Sequence, residues 1–147
     1  MKKYLLIVPL LICVFLLATQ TANCQNLTVK NSTSCTLEMQ LTIWQTTTGQ
    51  QINGLLIPPG GSATYPLFAV FPTAAPGAFW AGFKAMNPCS APTPGVPGVD
   101  ILGIEPTQPN DAMSVTPCVF MGNTQTCNKV QATWNDLGGG DVLISLF

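Results

Sequence analysis

The sequence predicts a single all-β domain, a two-sheet sandwich of immunoglobulin-like or jelly-roll-like kind, with a small barrel as the other alternative. Apolar and polar residues alternate with a period of two in several segments, turn residues recur at short intervals, and apolar residues at helical spacing are scarce. The pattern predicts about eight or nine strands, a number typical of such folds. Residues 25–147 suffice for one domain core.

The first two strands show the alternation most clearly. Leu27 and Val29 share one face of a short strand over 27–30. The most regular amphipathic strand lies within 35–47. Its predicted inward residues are Leu37, Met39, Leu41 and Ile43, and its outward residues are Thr36, Glu38, Gln40, Thr42 and Trp44.

The next two strands are separated by a strong turn signal. Residues 52–57 are an apolar strand that ends at the Pro-Pro-Gly-Gly sequence of 58–61. Alternation resumes over 63–71, which predicts another strand. Pro66 indicates that this strand lies at the edge of a sheet, because proline cannot donate a hydrogen bond to a neighbour.

Residues 79–86 predict a strand with Phe79, Ala81, Phe83 and Ala85 directed inward. A proline-rich loop then covers about 87–109, with a short strand expected over 99–104. Long loops often carry function. Here rigid prolines suit either a solvated connection or a wedge that inhibits a partner enzyme.

The C-terminal part predicts a strand over 114–121, a turn over 122–126 and an amphipathic strand over 129–135. The turn at 136–141 contains three glycines between two aspartates, and an apolar strand over 142–147 closes the chain. We expect the last two strands to form a hairpin, with Trp134 in the core. Alternatively, the apolar terminal strand pairs with the sheet edge of a neighbouring molecule.

Residues 1–24 have the layout of a cleaved signal peptide: two lysines, an apolar run and a small-residue segment. The apolar run is shorter than the roughly 20 residues that span a bilayer. We therefore expect a secreted or cell-surface protein with no membrane span after signal removal. Lipid anchoring at Cys24 is the less favoured alternative.

Four cysteines lie in the body of the chain and predict two disulfides in an exported protein. Three pairings are possible. The short spacing of Cys118 and Cys127 suggests one bridge, which would leave Cys35 for Cys89. No cysteine pair has the spacing of a zinc site, and histidine is absent from the sequence, so no metal or other cofactor is expected.

Charge and composition argue against most catalytic functions. The sequence has neither histidine nor arginine, which removes triad catalysis and the usual anion clamp. Without the two lysines of the signal, three of the five basic residues remain against six acids, a net charge of −3 that disfavours nucleic-acid binding. A secreted hydrolase that uses Asp100, Glu105 or Asp111 is the only enzymatic alternative. Asp136 and Asp141 are expected to serve a plain turn rather than calcium.

Two tryptophans and a lysine form the candidate binding surface. Trp44 lies on the polar face of its strand, and Trp80 shares its register with Lys84, opposite Phe83. Exposed aromatic side chains on a sheet suit sugar stacking or a protein interface. The alternative is that each tryptophan covers an edge of the core. Two sequons, at Asn26 and Asn31, are candidate glycosylation sites.

The opening strands and the Pro-Pro-Gly-Gly turn resemble the start of thaumatin-like proteins; the matching segments are 27–31, 43–44 and 58–62. That family carries many more disulfides and an acidic cleft that are not visible in this sequence. The expected function therefore rests on the residues alone. It is non-catalytic binding or assembly outside the cell, as a structural subunit or adhesive module whose partners are protein subunits or surface glycans. A carbohydrate-binding module is the first alternative.

Overall fold

The computed structural model describes residues 25–89, 101–115 and 117–147, and in these residues the protein is nearly all-β. The proposed signal peptide and residues 90–100 of the proline-rich loop lie outside the described residues. Eleven strands and one short helix are present in the described part. In chain order they are β1 (Asn26–Asn31), β2 (Leu37–Gln45), β3 (Thr48–Ile57), β4 (Ser62–Pro66), α1 (Leu67–Val70), β5 (Phe79–Met86), β6 (Ile101–Ile104), β7 (Asn110–Ser114), β8 (Cys118–Phe120), β9 (Asn123–Gln125), β10 (Lys129–Gly138) and β11 (Asp141–Leu146).

Two main sheets pack together around one core. The first has five strands in the order β4-β1-β11-β10-β7, and the second has four in the order β3-β2-β5-β6. The β8–β9 hairpin forms a separate two-stranded ribbon. Alternation explains the core, since Leu27 and Val29 of β1 and the four predicted inward residues of β2 are all buried. The prediction that Trp134 belongs to the core is confirmed.

The predicted C-terminal hairpin is confirmed, but its second strand has an unexpected place. β11 pairs antiparallel with β10 and, on its other side, parallel with β1. It therefore lies inside the five-stranded sheet, and the expectation that this strand could pair with a neighbouring molecule is wrong. Its apolar inward residues Val142, Ile144 and Leu146 are buried, which makes the centre of the sheet its favourable position.

The segment 63–71 is not one strand. Pro66 ends β4, which is an edge strand as predicted, and the chain then turns through α1. The amide of Leu67 donates to Gln25 O at 2.8 Å, and the amide of Phe71 donates to Leu67 O at 2.8 Å. Residues four apart share a face of a helix as well as of a strand, so both Leu67 and Phe71 remain buried.

The predicted strand over 114–121 is also divided. β7 ends at Ser114 and β8 begins at Cys118, after Pro117. Proline cannot donate to a ladder, and Cys118 is bonded to Cys89 beyond the end of β5, which draws β8 away from the first sheet. The short strand expected in the proline-rich segment is present as β6.

The two disulfides join Cys35 to Cys127 and Cys89 to Cys118, with Cα–Cα distances of 5.7 and 6.2 Å. Disulfide formation by the four body cysteines is confirmed, whereas the pairing suggested by the short Cys118–Cys127 spacing is wrong. Cys35 precedes β2 and Cys127 precedes β10, so this bond joins the two sheets. Sequence spacing failed here because the sheets bring distant segments together.

A buried asparagine adds a second link between the sheets. Asn31, at the end of β1, is 1% exposed, and its Nδ2 donates to Cys35 O, Ile57 O and Pro58 O at 2.7, 3.2 and 3.0 Å. Its Oδ1 accepts from the amide and hydroxyl of Thr33. The amide nitrogen that a glycan would occupy is thus engaged inside the protein, so Asn31 has a structural role.

Candidate functional site

The candidate site lies on the outer face of the four-stranded sheet, where a β-bulge reverses part of β5. Thr42 of β2 pairs with Gly82, but the next residue, Ile43, pairs with Trp80, so β5 has one extra residue at Ala81. One inserted residue exchanges the two faces of a strand. Residues before the bulge therefore point opposite to the direction that simple alternation predicts.

The bulge explains why the predicted directions of two β5 residues are wrong. Trp80 is 3% exposed and packs in the core, so its expected exposure on the binding surface is wrong. Phe79, which was expected inward, is 47% exposed. Phe79 pairs with Trp44, which is 45% exposed, so the two aromatic residues occupy adjacent positions on the same outer face. The outward direction of Trp44 agrees with the alternation along β2, whereas the exposure of Phe79 does not agree with the alternation along β5.

The Trp44 ring lies against the neighbouring strand. A Cβ atom on Gly49 of β3 would lie 3.3 Å from Cε3 of the Trp44 indole. The absence of a side chain at Gly49 thus allows the indole to approach the β3 backbone. This contact orients the ring and leaves nearly half of its surface open to solvent.

A groove of about 490 Å³ lies on the same face of the sheet. Its floor includes Gly82 of β5 and Gly103 of β6, where side chains are lacking. A Cβ on Gly82 would be 3.7 Å from Thr42 Cβ, which is ordinary contact, so the space above this glycine is open. The polar side chains along the groove are Gln40, Thr42, Gln51, Lys84, Glu105 and Gln108.

Strand pairing explains how these polar residues meet. Thr42 is paired with Gln51 on one side and Gly82 on the other, while Lys84 is paired with Gln40 and Gly103. Pairing across an antiparallel sheet places side chains on one face within about 5.5 Å at Cβ. The predicted site residue Lys84 is exposed. It lines the groove together with Gln40 and Thr42 of β2, the strand that contains Trp44.

Two of the three carboxylates named for the possible hydrolase lie in the described residues, and each has hydrogen-bond partners. Asp111 accepts from the Gly103 amide at 2.8 Å through Oδ2 and from the Ala112 amide at 2.8 Å through Oδ1, which attaches β6 to β7. Glu105 accepts from the Thr107 hydroxyl at 2.6 Å, within the turn between these strands. Asp100 lies outside the described residues.

The two aspartates around the glycine-rich turn have structural partners. Asp136 Oδ1 accepts from the Gly138 amide at 2.8 Å, and Asp141 Oδ1 accepts from the Asn26 amide at 2.7 Å. These bonds agree with the plain-turn interpretation. Across the described ranges, no group of three or more metal-ligating side chains is placed to hold an ion.

Within the described part of the chain, no helix has the length and apolar character needed to cross a membrane.

No protein-family model matches this chain, and no curated protein or solved structure matches it either.

Proposed function

We propose that this protein is a secreted, non-catalytic β-sandwich, immunoglobulin-like or jelly-roll-like, that binds glycan chains on the outer face of its four-stranded sheet. The observation that carries the proposal is the exposed pair Trp44 and Phe79 beside a groove lined by amide and hydroxyl groups. The sequence features of export and the two disulfides support an extracellular setting.

The aromatic pair supplies the apolar part of glycan recognition. Sugar rings present C–H groups on one face, and an aromatic ring offers a flat surface with a negative quadrupole to these groups. Trp44 is already oriented by its contact with Gly49, so little conformational entropy would be lost when a sugar stacks on it. Phe79, one strand away, extends this apolar surface across the sheet.

The groove supplies the polar part. Glutamine amides and a threonine hydroxyl can both donate and accept, as hydroxyl groups of a neutral sugar require. Gln40 Nε2 donates to Asn53 Oδ1, which restrains one of these amides before binding. The glycine floor at Gly82 and Gly103 lets a ring approach the backbone.

The acidic residues support binding rather than hydrolysis. A glycosidase needs two carboxyl groups on either side of the scissile bond. Asp111 uses both oxygens to hold backbone amides, which leaves Glu105 as the one carboxylate that lines the groove among the described residues. Glycan retention without turnover is the expected behaviour.

The proposal is tested by affinity electrophoresis of the oxidised protein in gels that contain neutral polysaccharides. Oligosaccharides derived from the polysaccharides that retard the protein are then used in fluorescence titrations. Trp44→Ala and Gln51→Ala should each weaken binding about 10-fold, the effect expected for a central contact. Val119→Ala removes an exposed apolar side chain from the distant β8–β9 hairpin and should leave binding unchanged. If Trp44→Ala and Val119→Ala bind equally well, the glycan surface lies elsewhere and the proposal fails.

Assembly remains a second candidate because of the free edge of β3. This strand spans ten residues, contains no charge or proline, and has β2 as its one neighbour among the described strands. Uncharged edges favour strand pairing between molecules. A bulge opposite Gln40 interrupts the edge, however, since Met39 pairs with Leu55 and Leu41 with Ile52. Light scattering behind size exclusion over a concentration series would show association if this candidate is correct, and Gln50→Pro should abolish it.

A further inference from the structure

We propose that a second hollow, distinct from the groove, binds a trimethylammonium group. The hollow has a volume of about 260 Å³ and lies where the ends of the two sheets meet. The turn after β6 separates it from the groove, because Glu105 and Gln108 line the groove while Pro106 lines the hollow. We call this hollow the aromatic pocket.

Three aromatic residues line the pocket. Phe79 and Trp80 come from β5 of the four-stranded sheet, and Trp134 comes from β10 of the five-stranded sheet. Trp80 and Trp134 are 3% and 7% exposed, whereas Phe79 is 47% exposed. The two tryptophans thus belong to the core side of the pocket, and Phe79 is the most accessible of the three.

The position of Trp80 is held from two sides. Its Nε1 donates to Gln25 O at 3.3 Å, and its ring meets Phe71 edge to face with centroids 6.1 Å apart. A wall held in this way is preorganised, because binding does not need to order it. The core therefore supports a site rather than a fluctuating void.

Charge selects the ligand class. Asp136 lines the pocket, two residues beyond Trp134 on the same strand. No lysine lines the pocket among the described residues. The faces of aromatic rings attract cations, and a nearby carboxylate adds to the attraction.

Other ligand classes fit less well. A purely apolar ligand would bring the Asp136 carboxylate against uncharged groups with no compensating attraction. A sugar would need several hydrogen-bonding side chains. Among the described lining residues only Asp136 and the two indole N–H groups can supply them, and the Trp80 N–H already donates to Gln25 O. A primary ammonium would give up strong hydration to enter. A trimethylammonium group is weakly hydrated and apolar on its surface, and the pocket volume is ample for it.

The test is titration of the ¹⁵N-labelled, oxidised protein with choline, followed through its tryptophan indole N–H signals. Signals from Trp80 and Trp134 should shift most, because these two residues line the pocket and Trp44 does not. The dissociation constant should be on the order of 1 mM, in keeping with the small number of ligand atoms. Dimethylbutanol, the uncharged isostere of choline, should bind at least about 5-fold more weakly.

Two variants and a matched control assign the interaction. Asp136→Asn keeps the oxygen that accepts from Gly138 but removes the charge, and it should weaken choline binding about 5-fold. Phe79→Ala should weaken it by a similar factor of about 5. Asn135→Ala, one residue away on the opposite face of β10, should not change it. Unfolding midpoints show whether each variant remains folded.

The source of the trimethylammonium group is distinguished by two further probes. Acetylated trimethyllysine should bind like choline, whereas phosphocholine should bind more weakly because the Asp136 carboxylate would repel its phosphate. Tighter binding of phosphocholine would instead indicate a lipid headgroup as the source. Equal affinity for choline and dimethylbutanol, or no shift of either buried indole at tens of millimolar choline, would overturn the proposal.

Discussion

The two main sheets share one core but differ in the regularity of their ladders. In the five-stranded sheet, pairing is continuous except at the end of the β10–β11 hairpin, near Asp136 and Gly138. In the four-stranded sheet, β2 has a register shift against each of its neighbours, β3 and β5. The groove and the exposed aromatic pair are on the irregular sheet, while no aromatic side chain is exposed within the strands of the regular one.

This difference separates the regular ladders from the face on which we propose glycan binding. The regular strands bury one face, and their outer face includes the Thr28–Thr64 hydroxyl pair across β1 and β4. Bulges redirect side chains, and they are frequent beside functional sites. Here the bulge at Ala81 moves a phenylalanine to the surface and a tryptophan into the core.

The largest expected effect is loss of the bond that joins the sheets. Replacing Cys35 and Cys127 with alanine should lower the free energy of unfolding by about 4.5 kcal/mol, because these residues are 92 positions apart in the chain. Replacing Cys89 and Cys118, 29 positions apart, should cost about 3.5 kcal/mol. Urea unfolding of both double variants measures the difference. A larger cost for the second pair would contradict this account of how the sheets are joined.

The next effect concerns the asparagine that links β1 to the four-stranded sheet. Asn31→Ala should cost about 3 kcal/mol, because it removes several buried hydrogen bonds between β1 and the four-stranded sheet. Asn135→Ala, on the exposed face of β10, should change stability by less than about 0.5 kcal/mol. Denaturant midpoints of the two variants make the comparison. Similar small losses would show that the Asn31 bonds contribute little.

Deletion of Ala81 tests the bulge itself. Removing the extra residue should leave the pairs Thr42–Gly82 and Ile43–Trp80 in a regular ladder, so Trp80 stays in the core and Phe79 stays on the outer face. The free energy of unfolding should fall by about 1 kcal/mol, as for an ordinary point change, and quenching of tryptophan fluorescence by acrylamide should not change. A rise in quenching would show that Trp80 has turned toward solvent and would contradict Ala81 as the extra residue.

A smaller effect compares cross-strand contacts on the two outer faces. Trp44→Ala should cost about 1 kcal/mol, because the indole covers the β3 backbone at Gly49. Thr28→Ala on the five-stranded sheet should cost about 0.5 kcal/mol through the loss of its contact with Thr64. Thermal unfolding of the Trp44→Ala and Thr28→Ala variants measures the two costs. A reversed order would mean that Trp44 is held for recognition and adds no stability.

The smallest effect is expected at alkaline pH. Burial raises the pKa of the Tyr65 phenol above its ordinary value of 10.0. The phenol therefore ionises more readily in the unfolded chain, so its contribution is present below about pH 10 and is lost as the pH rises further. Tyr65→Phe should make stability less sensitive to pH in that range. An unchanged pH dependence in urea titrations would contradict this.

Much of the candidate site was predictable where the strand is regular. The outward direction of Trp44 followed from alternation along β2, and Lys84 lies after the bulge, where alternation still holds. Trp80 and Phe79 lie before the bulge and were both assigned to the wrong face. A single extra residue has no local signature as plain as a proline or a glycine, because its effect arises from pairing with the partner strand.

The sequence by itself determined the all-β character, the inward faces of β1 and β2, the edge position of β4 and the involvement of four cysteines in disulfides. These properties depend on side-chain type and period, which are local. Only the tertiary structure decided the cysteine pairing, the central place of β11 between β1 and β10, and the exchange of Phe79 and Trp80. Each of these depends on which distant strands become neighbours, and the shared burial of two sheets selects those neighbours.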